Sequence, residues 1–179
     1  MKITVEDCLR LDAFRHSTVE SCMRKSDRRV RSVSVFDENN LEAGVERNGV
    51  PEQMVLTHFW QIKDDVEAQC RVISGFGRKQ IATLVVFLNE HGVRALDSRV
   101  IKAAEESGLL VITIADEGEL TYAMVIEQVM DKILYGHNYS DNLLNNTIYH
   151  LLNFEKHSNF QSAVREAAIN NDFQLIILS

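Results

Sequence analysis

Two continuous apolar runs, residues 81–88 and 109–114, set the strongest limit on what this chain can become. A strand with one wet face alternates apolar and polar residues, whereas one covered on both faces need not. Both runs are rich in β-branched residues, so both are expected to be strands inside a sheet packed on two sides. Between them Asp97 is placed to cap a helix over residues 98–107, and Gly108 to close it. Strand, helix, strand in that order demands a crossover, and a crossover makes the two strands parallel.

The remaining pattern agrees. Thr4 and Asp7 stand in the Thr-x-x-acid spacing of a capping box, opening a helix with Val5, Cys8, Leu9 and Leu11 on its apolar side. An extended piece is expected over residues 18–23. Residues 30–35, Val-Arg-Ser-Val-Ser-Val, read as a half-buried strand with the valines on one side and Arg31 and the serines on the other. A short helix over 41–47 ends at Asn48-Gly49, and 54–56 is a buried strand. A helix is expected from Lys63 to about Phe76, with Asp64, Asp65 and Glu67 at its positive end. Residues 119–134 form an amphipathic helix, with Met124, Val125, Val129, Ile133 and Leu134 at steps of three and four. The fold class is therefore α/β, a mostly parallel (mixed) central sheet with helices on both faces, followed by a helical extension.

Composition excludes several classes. The formal charge of −7, from 19 Lys and Arg against 26 Asp and Glu, repels a phosphate backbone, so this piece is not expected to bind nucleic acid by itself. No apolar run approaches the about 20 residues of a membrane-spanning helix, and acidic residues near the start argue against a signal peptide. A cytoplasmic protein without a membrane partner is expected. Cys8, Cys22 and Cys70 have neither paired spacing nor clustered histidines; they read as buried apolar side chains, and no metal or cofactor is expected.

Candidate binding residues come from the strand ends, where open α/β sheets place ligands. Thr57 and His58 directly follow the strand at 54–56, Asn89 and His91 follow 81–88, and Asp116 and Glu117 follow 109–114. Thr57, His58, Asn89 and Asp116 are the candidate ligand-binding set. Ordinary loop residues covering the sheet end are the competing account. Gly75-Phe76-Gly77-Arg78-Lys79 carries two glycines but lacks the Gly-Lys-Ser/Thr end of a phosphate loop and is read as following a helix. No nucleophile–base order is readable, so no catalytic residue is named.

Four segments together resemble the regulatory domain of PucR-type regulators, the purine-catabolism regulators of bacteria. They are Ile3-Thr4-Val5-Glu6-Asp7-Cys8-Leu9, Ser26-Asp27-Arg28-Arg29-Val30-Arg31-Ser32-Val33-Ser34-Val35, Gln53-Met54-Val55-Leu56-Thr57, and the strand, capped helix and strand of residues 84–114. The resemblance covers about residues 1–134. It implies an amino-terminal sensory domain, similar in its first half to the amino-terminal domain of HPr kinase, in a transcription regulator of catabolic genes. It implies no enzymatic activity, and a small-molecule effector as the partner. Because Asp27-Arg28 recurs in the family's segment, a structural or relay role is expected for both residues.

Three parts are expected: residues 1–134 as the regulatory domain, 135–158 as a connecting helix, and 159–179 as the start of a truncated second domain. The connecting stripe of Leu143, Leu144, Ile148, Leu151 and Leu152 predicts a homodimer through the carboxyl-terminal helices. DNA would then be reached only through a helix-turn-helix domain absent from this chain. Two alternatives remain at this point, a dimerisation module without a small-molecule ligand and an α/β enzyme.

Overall fold

The computed structural model describes residues 2–89, 92–115 and 120–136. Residues up to Leu134 form one compact unit. The chain opens with helix α1 (Val5–Leu9), followed by strand β1 (Ser17–Ser21) and strand β2 (Ser32–Val35). Helix α2 (Leu41–Asn48), strand β3 (Gln53–Thr57), helix α3 (Val66–Lys79) and strand β4 (Thr83–Leu88) come next. Helix α4 (Ser98–Ser107), strand β5 (Val111–Ala115) and helix α5 (Tyr122–Tyr135) complete it. The expected segments at 139–152, 160–170 and 173–178 lie outside the described residues.

The sheet has the order β1-β5-β4-β3-β2. Strands β2 to β5 are parallel to their neighbours, and β1 joins antiparallel to β5 at the edge. The sheet is thus mixed and mostly parallel, as the apolar runs predict. Each strand from β2 to β5 lands beside its predecessor in one constant direction. Crossovers of one hand must then carry α2, α3 and α4 to the same face. Their side chains Leu41, Val45, Val72, Ile73, Phe76, Val100 and Ala104 pack there with Val55, Leu84, Val86 and Val111. The opposite face is roofed by the two ends of the unit. Val5, Cys8, Phe14, Val125 and Val129 pack on Met54, Leu56, Val85, Phe87, Ile112 and Ile114.

Local signals placed most element ends. In α1, Thr4 accepts from the Asp7 backbone N–H at 3.2 Å, and the Asp7 carboxylate accepts from the Thr4 N–H at 2.9 Å. That backbone hydrogen bond is the main reason the Asp7 carboxyl titrates below the usual carboxylate range. Thr4→Ala is expected to cost about 1 kcal/mol. The folded pKa of Asp7 lies below its unfolded value, so the cap's electrostatic part is fully present above the unfolded value. It is lost as pH falls through the folded one. Urea titrations of wild type and Thr4→Ala at neutral and acidic pH check this: the gap between them should narrow in acid.

Several boundaries differ from expectation. Helix α3 begins at Val66, because a 3₁₀ turn at Trp60–Ile62 occupies the preceding residues and Asp65 supplies the cap, accepting from the Ala68 N–H. It also continues to Lys79, so Gly75 and Gly77 lie inside the helix instead of after it. Close packing accounts for both. A Cβ on Gly77 would stand 2.5 Å from Ser107 Cβ on α4, and one on Gly75 2.9 Å from Val45 Cγ1 on α2. Regular pairing in β2 starts only at Ser32; Val30, Val33 and Val35 still turn to one hydrophobic cluster. Of the cysteines only Cys8 is buried, and burial pushes its thiol up to about 12. Cys22 and Cys70 are partly exposed, one at the turn after β1 and the other on α3, where it packs against the edge of the core.

Candidate functional site

The carboxyl ends of β2 and β3 and the first turn of α5 meet in one polar cluster. Asp37 follows β2, Thr57 ends β3, His58 follows it, and Tyr122 opens α5. The Tyr122 phenol donates to Asp37 Oδ2 at 2.6 Å. Asp37 Oδ1 accepts from the Thr57 hydroxyl at 3.3 Å and from the His58 backbone N–H at 3.5 Å. His58 Nδ1 lies 2.5 Å from the Tyr122 hydroxyl oxygen.

Proton positions are set by valence. An ionised carboxylate only accepts, so the single Tyr122 proton points to Asp37. His58 Nδ1 must then be the donor to Tyr122, which requires its proton on Nδ1. The relay runs His58 to Tyr122 to Asp37. Burial, followed by the hydrogen bond to Asp37, raises the Tyr122 phenol above its ordinary pKa, so it stays protonated at neutral pH. A ¹⁵N NMR spectrum of the imidazole is expected to show Nδ1 protonated at neutral pH. A neutral ring protonated on Nε2 alone would contradict this arrangement.

An aromatic floor supports the relay. The Phe87 ring, buried on β4, lies 5.0 Å from the His58 ring and 5.1 Å edge-on from the Tyr122 ring. The turn after β3 is bent to bring His58 there. Phe59 adopts φ 54°, a left-handed conformation uncommon for a residue with a side chain, and its N–H donates to Thr57 Oγ1 at 3.0 Å. Thr57 thus uses both its donor and an acceptor internally. On the far side, His58 O accepts from the Val93 N–H at 3.3 Å, and Asn89 Oδ1 accepts from the Gly92 N–H at 2.8 Å. A Cβ at Gly92 would overlap the His58 carbonyl, so the chain can pass here only as glycine.

Of the residues expected at the strand ends, Thr57 and His58 stand together in the relay, and Asn89 shapes the adjoining turn. Asp116, like His91 and Glu117, lies outside the described residues. Sequence reasoning missed Asp37 and Tyr122. At the opposite pole, Arg28 donates to Ile81 O at 3.0 Å and Gly108 O at 3.2 Å, and Lys25 Nζ donates to Gly108 O at 2.7 Å. These cations tie the start of the chain to the ends of α3–β4 and α4. Asp27 beside them makes no hydrogen bond or ion pair among the described residues. A cleft of about 530 Å³ lies elsewhere, between α2 and α3, lined by Leu41, Val45, Cys70, Arg71 and Gly75 among others. It contains none of the relay residues. Among the described residues no group of His, Cys, Asp or Glu could hold a metal ion, and no helix is long and apolar enough to cross a membrane.

These features define a layered α/β domain with a hydrogen-bonded polar site at its strand ends and a helix seated on that site. The model of the Purine catabolism regulatory protein-like (PucR) family matches residues 7–133, and the chain belongs to this family of regulators. No curated protein and no solved structure matches it.

Proposed function

We infer that this domain is a sensory and relay module of a regulator of purine catabolism, without catalytic chemistry of its own. A signal received at the strand ends is passed to α5 and onward to the following part of the chain. One observation carries this reading: Tyr122, on the first turn of α5, hydrogen-bonds to residues following both β2 and β3. A ligand or partner that engages Asp37 or His58 must therefore change what holds α5 in place. Coupling of this kind needs two sites and a differential contact, and Tyr122 supplies the contact. Control of DNA binding and a homodimer through the carboxyl-terminal helices remain part of the proposal.

Isothermal titration and thermal-shift screening against purines, ureides and small carboxylates test the sensory role. Saturable binding that alters amide exchange in the first turn of α5 is expected. Tyr122→Phe removes the link, and should speed exchange of the Tyr122–Val125 amides while lowering global stability by only about 1–2 kcal/mol. Unchanged exchange in that variant would leave α5 uncoupled from the strand ends and the reading without support.

A further inference from the structure

The partners of Asp37 define the chemistry the site is missing. Its carboxylate is half-buried and accepts from a threonine hydroxyl, a backbone N–H and a phenol, all neutral. No lysine or arginine among the described residues pairs with it, whereas the ion pairs that form elsewhere among those residues each include an exposed side chain. A carboxylate withdrawn from water without a counter-cation gains more from a cationic donor than from a phenol, because the cation adds the attraction of opposite charges to the hydrogen bond, which the neutral phenol lacks. Of its three donors, two are fixed parts of the β3 end. Only Tyr122 belongs to another element, so only Tyr122 can be exchanged without rebuilding the sheet.

Resting on the sensory reading above, we propose that the strand-end site takes a cation bearing N–H donors, of the amine, amidine or guanidinium class. It binds Asp37 in place of the Tyr122 hydroxyl and so releases the first turn of α5. The ligand and Tyr122 compete for one oxygen, Asp37 Oδ2. Removing the phenol hydroxyl must therefore strengthen binding, whereas removing the carboxylate charge must abolish it. A residue that merely held the fold together would show the first effect with neither sign nor selectivity.

Methylguanidinium serves as the probe in the full chain, with tetramethylammonium as a cation lacking N–H donors and acetate as an anion. Binding is read from the His58 backbone amide shift, and α5 release from amide exchange at Tyr122–Val125. Methylguanidinium is expected to give a saturable shift and faster exchange, and the two control ions neither. Asp37→Asn should lose the response, and Tyr122→Phe should bind methylguanidinium at least about ten-fold more tightly, the worth of one hydrogen bond to a charged acceptor. No saturable shift in wild type, an undiminished one in Asp37→Asn, or weaker binding by Tyr122→Phe would each overturn the proposal. An anionic or neutral compound that moves α5 exchange while methylguanidinium does not would refute the cationic class and leave the sensory role standing.

Discussion

Phe87→Ala is expected to destabilise the domain by about 3–5 kcal/mol, the usual cost of emptying a buried aromatic site. The side chain is fully buried on β4 between the sheet and α5, and its ring also contacts those of His58 and Tyr122. A small domain has only about 5–15 kcal/mol in hand, so this one change removes a large share. Urea unfolding should show a lower midpoint at an unchanged slope. Phe87→Leu keeps most of the volume and loses mainly the ring contacts, worth about 0.5–1.5 kcal/mol. If alanine and leucine cost the same, cavity formation is not the cause and the placement of this ring is wrong.

A similar loss is expected at the crossing of α3 and α4. Gly77 allows the two helices to touch, since even a methyl there would stand 2.9 Å from the Ser107 carbonyl oxygen as well as against its side chain. Gly77→Leu must push the helices apart and is expected to cost about 3 kcal/mol or more. Gly77→Ala is a sharper comparison. Its Cβ is the atom that meets Ser107 Cβ at 2.5 Å, so the overlap should outweigh the helix-propensity gain of about 1 kcal/mol and leave a smaller net loss than leucine does. Chemical denaturation of both variants decides the matter; a tolerated leucine would mean that the crossing is looser than this geometry.

How readable each feature was depended on how far apart in sequence its causes lie. The cap of α1 at Thr4 and the ends of α4 at Asp97 and Gly108 are written within a few residues, and the structure has them where the spacing puts them. The α/β class was readable because burial on both sides removes alternation from β4 and β5. The start of α3 was missed by three residues because Lys63 and Asp64 look as helical as the residues from Val66 onward; only the 3₁₀ turn shows that Asp65 is the cap. The edge position of β1 was not readable either. Its pairing depends on a partner about ninety residues away, where Ser21 Oγ bonds to Leu109 O and the Val111 N–H.

The site divides in the same way. Thr57 and His58 were found because strand ends in such sheets face ligands. Asp37 and Tyr122 are separated by 85 residues and gave no local sign. Asp37 lies beyond a strand whose regular pairing is short, and Tyr122 reads simply as one more residue of an amphipathic helix. Only the fold brings the carboxylate and the phenol within 2.6 Å. By contrast, Asp27 and Arg28 look alike as neighbours in a charged turn, yet Arg28 alone grips the backbone of other elements.

The arrangement of α5 limits how large any motion can be. Val125 and Val129 have no exposed surface, and they sit among side chains from every parallel strand. Swinging the whole helix away would strip the roof from one side of the sheet, an event on the scale of unfolding. What is left is a fraying or twist of the turn ahead of Val125, with the rest of the helix anchored. Any change that reaches the far end of the helix would then be one of how firmly it is held, not of where it lies.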